Sequence, residues 1–473
     1  MGKGELVDKT KESGMFTSNS DSVKQDSKET LSLAILSRRE TTDMLKNDKL
    51  GNTVSVAGYI KSIKKVGDSL SFIVLSDQYG DIQLTCKKDK IKRLSDIQNL
   101  TRHTFIAAMG NLIEGRAKGG REIEVKELVS LTTKPAPPLP IELNDYINTG
   151  LEKRIDYRWI DLRDQQHRIP IVILSELTKY MSEFLWQNRF TQIFSPKFTG
   201  YPTEGGAEAF PVEYFGRKAY LVQSPQFYKQ MAICSGLERV FEVTPVFRAE
   251  PSFTSRHNTE FTSFDIELGY ITSENDVMAL EENLLNYAFQ KLIENHSDQI
   301  EMVTKEPIQL PRKIPKIKME EAWSVVSKTS VSETGDLTSE GEKEIAKYIK
   351  EKTGSDFVFT TDWPFAARPF YHMLGTPTSD GRPTTRSFDL IYRGVEITTG
   401  AQREHNYDKL LENVKAKGLN QENLQYYLNF FKYGAPPHGG LGLGISRVVT
   451  QMLNLGNIRE AILLPRDLKR LSP

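Results

Sequence analysis

The chain has 473 residues, enough for two or three domains and a large buried core. Lysine plus arginine (62) equals aspartate plus glutamate (62), which excludes a uniformly basic nucleic-acid coat but leaves local basic faces open. The two cysteines, Cys86 and Cys234, lack metal-ligand spacing, and no run of about 18 apolar residues occurs. These features point to a soluble intracellular protein of a reducing compartment, with no zinc site and no signal peptide.

Residues 1–45 are polar and rich in Ser, Lys and Asp, the composition of a disordered extension, ending in a candidate helix within TLSLAILSRRETTDML. From 50 to 132 the alternating runs TVSVAGYI, LSFIVLSD, DIQLTCKK and EIEVKELVSL are split by Gly and Asp turns and predict a small all-β barrel. Such barrels often bind single-stranded nucleic acid, stacking bases on aromatics within a basic groove. Tyr59 and Phe72 are candidate stackers and Gln83 a candidate base reader. Lys61, Lys64, Lys65, Lys87, Lys88, Lys90, Lys92 and Arg93 supply positive charge. On periodicity alone, however, Phe72 reads as core and the lysines as a solvated face. TKPAPPLP, at 133–140, is a stiff linker and opens a hinge that runs to 149. From 150 to 473, helical runs such as IVILSELTKYMSEFLWQN mix with strands, an α+β pattern.

Six stretches in this last region combine ionisable groups with glycines: TEGGAEAF (203–210), QSPQFYKQ (223–230), FRAE (247–250), RHNTEF (256–261), SFDLIYRGVEITTGAQREH (387–405) and GAPPHGGLGLGISRVV (434–449). There is no P-loop, no GxGxxG opening a helix, no serine elbow and no Cys/His pair. Arginines, carboxylates and glycines without a nucleophile suit a polyphosphate held on metal ions, where positioning and charge neutralisation carry the catalysis. Taken singly, each feature has a plainer reading. An Arg/Glu pair can be a surface salt bridge, a glycine run a buried turn, and Lys229, near a helix end, an exposed lysine.

Taken in order, these stretches resemble the class II aminoacyl-tRNA synthetases, and among them the aspartyl group of archaeal and eukaryotic type, from about residue 50 to the C-terminus. RFTQIFSPKF with Pro196, FRAE through DIEL, and GLGLGISRVV are similar to the three signature motifs of that class. The resemblance implies an α+β protein: an N-terminal OB-fold barrel that binds the anticodon, followed by a catalytic domain with an antiparallel sheet flanked by helices. It also implies roles. Arg248 would contact the α-phosphate of ATP and the amino acid carboxylate, Glu250 would face adenine, and Phe261 would stack on it. Arg256 and His257 would meet the outer phosphates. Arg447 would hold the γ-phosphate and cover the adenine from the other side, with Gly439, Gly440, Gly442 and Gly444 passing beneath the nucleotide. Ser446 departs from the acidic residue many relatives carry before that arginine. Mg²⁺ would sit on Asp389, Glu396 and Thr399, the threonine standing where relatives have serine; Glu396 would also serve ATP, and Thr399 the amino acid.

For the amino acid, Lys229 and Arg403 would hold the side-chain carboxylate of L-aspartate, while Gln226, Asp265 and Glu204, the last on a mobile loop, would hold its amino end. Lys229 selects aspartate, since asparaginyl-tRNA synthetases lack its equivalent. Anticodon contacts would come from Phe72, Gln83 and Glu124. The implied activity is ATP-dependent activation of aspartate and its transfer to tRNA, by a cytoplasmic homodimer paired through the first motif. The partner is tRNA-Asp, and whether tRNA-Asn is also charged stays open. An asparagine-charging or asparagine-forming relative, and a catalytically inert RNA-binding paralogue, are the alternatives.

Overall fold

The computed structural model describes residues 29–67, 69–91, 100–115, 120–132, 134, 136–143, 149–202, 209–251 and 254–472. Lys92, Arg93 and Glu204 lie outside the described residues. The chain divides into two compact units, Met1–Pro140 and Ile141–Pro473.

In the first unit, β1 (Thr53–Val66), β2 (Leu70–Ser76), β3 (Asp81–Lys87), β4 (Phe105–Glu114) and β5 (Arg121–Ser130) close into a barrel in the order β1-β2-β3-β5-β4. Closure leaves no long strand edge unpaired. Alternation along β2 sends Ile73 and Leu75 into a core with Val54, Val56, Leu84 and Ile123. Phe72 therefore projects from the opposite face and is only half-buried, which corrects the core assignment that periodicity alone suggests. Register aligns Phe72 with Thr85, and Thr85 with Glu124, in one row across β2, β3 and β5. Tyr59 differs: it is buried, with its ring centroid 6.1 Å from that of Phe105. Residues 29–36 form a helix whose Ile35 packs on Ala57, Ala107 and Val129, so the end of the polar extension is anchored on the outside of the barrel.

The second unit contains β6 (Thr191–Gln192), β7 (Phe198–Thr199), β8 (Pro211–Tyr214), β9 (Arg217–Leu221), β10 (Arg239–Phe247), β11 (Glu260–Gly269), β12 (Lys316–Lys318), β13 (Phe357–Thr361), β14 (Ser387–Tyr392), β15 (Val395–Gln402) and β16 (His438–Gly444). Eight of these form one sheet in the order β12-β13-β14-β15-β16-β11-β10-β6, antiparallel through its centre, and β7-β9-β8 form a small second sheet. Two long helices, α1 (Gln165–Gln187) and α2 (Glu274–Val303), pack on one face of the large sheet. The capping box of Ser273 and Asp276 fixes the start of α2. Phe264 and Ile266 of β11, Leu390 of β14, and Leu441 and Leu443 of β16 point into that core. Their sequence neighbours must point the other way, and that opposite face carries the site. Among the described residues, no helix is long and apolar enough to cross a membrane.

One acid violates the apolar pattern. Glu281 of α2 is fully buried with neither carboxyl oxygen hydrogen-bonded among the described residues, and burial pushes its carboxyl up from 4.5 to about 8. Between those values the native state holds a proton that the unfolded chain has released, so stability falls as pH rises from about 4.5 towards 8 and levels off above it. Glu281→Gln is expected to flatten this slope, raising the melting temperature near pH 8 by at least about 4 °C while changing it little near pH 5. Thermal melts of both proteins across that range check this.

Candidate active site

A cavity of about 300 Å³ opens on the sheet face away from α1 and α2. Strand alternation builds its floor. On β11, Phe261, Ser263 and Asp265 line the cavity and Glu267 follows on the same face, while Phe264, Ile266 and Leu268 fill the core behind. On β16 the corresponding positions are Gly440, Gly442 and Gly444. A Cβ at Gly440 would collide with the Ile266 carbonyl and the Glu267 carboxylate, so glycine there makes room for a buried charge.

On β15 a bulge re-phases the strand. Leu390 pairs with Thr398 but Ile391 pairs with Glu396, leaving Ile397 as the extra residue. Glu396 and Thr399, three apart and expected on opposite faces, are thereby turned to the same side, and Thr399 Oγ1 donates to Glu396 Oε1 at 3.0 Å. Asp389 lies directly across from Thr399 in the register. Its Oδ2 accepts from Arg368 Nη2 at 2.6 Å, while its buried Oδ1 has no hydrogen-bond partner. Burial first, then the nearby Glu396 carboxylate, push Asp389 above the ordinary carboxyl range despite Arg368. Burial also pushes Glu396 up, but Arg447 and Arg368 more than offset it and hold that carboxyl low.

At the inner end, charges are fully buried and fully paired. Lys229 sits in the short helix Gln226–Cys234, with no solvent exposure, which corrects its reading as an exposed lysine. Its Nζ lies 2.8 Å from Asp265 Oδ1 and 3.5 Å from Glu267 Oε2, and donates to the Leu441 carbonyl at 3.0 Å. Arg403 Nε donates to Glu267 Oε1 at 3.0 Å and its Nη2 to Gln226 Oε1 at 3.1 Å. Burial raises Glu267, but Arg403 and Lys229 outweigh it and keep the carboxyl below its ordinary value. Arg403 Nη1 lies 2.9 Å from His372 Nε2, and burial with Arg403 pushes that imidazole well down. His372 is therefore neutral, with Nε2 as the acceptor. Arg403, Gln226 and Asp265 line the cavity. Lys229 lies behind Asp265.

At the outer end, Arg248 lies over the Phe261 ring at 5.5 Å and 3.7 Å from Glu250. Arg447 Nη1 donates to the Glu396 carbonyl at 2.8 Å. His257 is pushed down by burial and by Arg447, so it offers hydrogen bonds rather than charge. Arg256 is tied to Glu342 at 2.6 Å. Among the described residues, five arginines (Arg248, Arg256, Arg368, Arg403 and Arg447) and three carboxylates (Glu250, Asp265 and Glu396) line one cavity, with Glu342, Asp389 and Glu267 pairing Arg256, Arg368 and Arg403 just outside it. Among the described residues no cluster of three or more His, Cys, Asp or Glu side chains is placed to hold a metal. Asp389, Glu396 and Thr399 form an oxygen set of two carboxylates and a hydroxyl.

Residues 150–468 match the family of class II tRNA synthetases (D, K and N), and residues 54–131 match the OB-fold nucleic acid binding domain. The chain belongs to the class II tRNA synthetases. An aspartate–tRNA(Asp/Asn) ligase of Aeropyrum pernix is 42% identical over 435 residues, covering 90% of this chain and 97% of that protein. An aspartate–tRNA(Asp) ligase of Pyrococcus horikoshii is 39% identical, covering 89% and 97%. Among solved structures, an asparaginyl-tRNA synthetase from Pyrococcus horikoshii complexed with asparaginyl-adenylate superposes with a TM-score of 0.83 at 30% identity, covering 92% of this chain and 99% of that one.

Glu267, Arg368, His372 and Glu342 all serve this synthetase's site and escape a motif-based reading. Glu267 had a signal, because it lies two residues beyond Asp265 on the strand that also carries Phe261. Arg368 and Glu342 had none, since each arrives from a segment outside the six stretches. On the barrel, Gln83 Nε2 donates to Glu122 Oε2 at 2.5 Å, and Lys87 and Lys90 each lie 2.8 Å from Glu124. Phe72, Gln83 and Glu124 thus share the outer surface of β2, β3 and β5.

Proposed function

We propose that this synthetase is an aspartate–tRNA ligase, which activates L-aspartate with ATP and transfers it to tRNA. The observation that carries this reading is the inner end of the cavity, where Arg403, backed by the buried Lys229, presents fixed positive charge next to Asp265. A substrate with a carboxylate at its tip meets the Arg403 guanidinium there, with the Lys229 charge behind it, whereas its amide counterpart brings no charge to match. Asp265 and Gln226, with Glu204, take the α-ammonium.

In the first step the aspartate α-carboxylate attacks the α-phosphorus of ATP, the bond to the β-phosphate oxygen breaks, and pyrophosphate leaves with aspartyl-adenylate remaining. Arg248 grips both reacting anions and meets the charge that develops as they join. Phe261 and Arg447 hold the adenine between them, Glu250 faces its edge, Gly444 gives it room, and Arg256 and His257 meet the outer phosphates. In the second step the 3′-hydroxyl of the terminal adenosine of tRNA attacks the adenylate carbonyl, giving aspartyl-tRNA and AMP. Neither step uses a protein nucleophile. Asp389, Glu396 and Thr399 fit Mg²⁺, an ion that prefers hard oxygen ligands, and the unpartnered Asp389 Oδ1 provides a free lone pair. When bound, Mg²⁺ neutralises charge on the phosphates.

The barrel reads the anticodon, with Phe72 as the stacking platform and Gln83 and Glu124 at base edges. Trp186, Phe194 and Phe198 are 56%, 83% and 53% exposed, and this apolar surface around RFTQIFSPKF supports a homodimer. Free thiols at Cys86 and Cys234 suit the reducing cytoplasm.

The test is aspartate-dependent pyrophosphate exchange, compared with asparagine, followed by charging of purified tRNA-Asp and tRNA-Asn. Exchange with aspartate and charging of tRNA-Asp are expected; exchange with asparagine alone overturns the assignment. Charging of tRNA-Asn as well identifies a non-discriminating enzyme. Phe72→Ala is expected to raise KM for tRNA about tenfold or more while leaving exchange unchanged, since one stacked base is worth about 1–3 kcal/mol.

A further inference from the structure

Glu342 does not line the cavity, yet it touches two groups that serve it. It lies in the first turn of a helix, α3 (Ser339–Thr353), in a segment remote in sequence from every stretch that resembles the family motifs. Its Oε2 accepts from Arg256 Nη2 at 2.6 Å and from the Glu396 backbone N–H at 2.7 Å, and its Oε1 accepts from Arg256 Nη1 at 3.5 Å. Arg256 Nη2 also donates to the Gly394 carbonyl at 3.1 Å. One carboxylate therefore joins the loop that follows β10 to the start of β15.

The carboxylate is itself held in place. Thr338 caps α3, accepting from the Gly341 N–H at 3.3 Å, and the Glu342 N–H closes the first turn on the Thr338 carbonyl at 3.0 Å. The helix sits tightly on the β14–β15 turn, where a Cβ at Gly394 would come within 3.2 Å of Lys343. Both side chains of the pair are largely buried, at 17% and 13% exposure, so the contact is not an exposed pair of the kind that contributes little.

We propose that Glu342 is a positioning residue for the nucleotide's outer phosphates: it orients Arg256 towards them and registers Arg256 against Glu396. A guanidinium has five N–H donors in a rigid fork. Three are directed at Glu342 and Gly394, which leaves two for a ligand in the cavity that Arg256 lines. Fixing the fork in advance removes the rotamer freedom that a free arginine would lose when it meets a phosphate, and the benefit falls on ATP binding. The inference rests on the assignment of Arg256 to ATP made above.

The experiment is pyrophosphate exchange with the full-length protein, varying ATP and aspartate separately, for wild type, Glu342→Gln, Glu342→Asp, Arg256→Ala and the double variant Arg256→Ala/Glu342→Gln. Glu342→Gln is expected to raise KM for ATP about tenfold, with KM for aspartate and kcat within about twofold, and Glu342→Asp to recover part of the loss. In the Arg256→Ala background the second substitution is expected to add nothing, because the group it orients is gone. Three results overturn the proposal: an unchanged KM for ATP, a parallel rise in KM for aspartate, or additive effects in the double variant. If Glu342→Gln does not fold, Glu342→Asp in the same cycle gives the same decision. A wild-type protein without exchange overturns the ligase assignment instead, before any substitution is compared.

Discussion

Lys229→Met is expected to lower aspartate-dependent pyrophosphate exchange by about 10²–10³-fold and to lower the melting temperature as well. The size follows from what the ammonium holds. It lies 2.8 Å from Asp265 and 3.5 Å from Glu267, and neither Lys229 nor Glu267 has any exposure. Removing one partner of a buried ion pair leaves an uncompensated charge and costs about 3–5 kcal/mol. Asp265, the proposed α-ammonium ligand, then loses the cation that holds it, and Arg403 is left to neutralise Glu267 alone. Selectivity should fall with activity, so the ratio of aspartate to asparagine exchange drops by at least about tenfold. Exchange with both amino acids, measured beside a thermal melt, checks all three effects. An unchanged acid-over-amide ratio in a folded variant would show that selection lies elsewhere.

Much of this architecture is legible from alternation and turn residues. The barrel strands announce themselves because each half-buried strand alternates between core and outer face, and the glycines of β16 fall where side chains would fill the cavity. The limits are equally physical. Phe72 reads as core on periodicity because an aromatic in an apolar run looks the same on either face; only the closed barrel decides that Ile73 and Leu75 take the inside. Lys229 reads as exposed because a helix of nine residues says nothing about the sheet it lies on. The β15 bulge hides the pairing of Glu396 with Thr399, since a strict two-residue period separates them. Glu267 was available to the alternation argument, two positions beyond Asp265. Arg368 and Glu342 were not, because their roles depend on loops and a helix delivered from elsewhere in the chain.

Arg248→Ala should behave differently from the lysine variant, losing activity without losing stability. The Arg248 side chain is 44% exposed and its charged partner Glu250 lies 3.7 Å away, a loose pair at the cavity wall that contributes little to folding. Its guanidinium rests over the Phe261 ring, which fixes its direction while leaving its donors facing the cavity. Such a group matters most as charge develops between the aspartate carboxylate and the α-phosphate, and removing one donor of this kind costs about 2.7–4 kcal/mol, or about 10²–10³-fold in rate. The loss is therefore expected chiefly in kcat for exchange, with the melting temperature within about 2 °C of wild type and tRNA affinity unchanged, because the barrel is untouched. Lysine at 248 should restore little, since a point charge cannot bridge two anions as the planar fork does. Stopped exchange kinetics, a melt and a tRNA-binding titration on the same preparation separate these effects. Full activity in the alanine variant would remove Arg248 from the chemistry and leave the buried arginines to supply it.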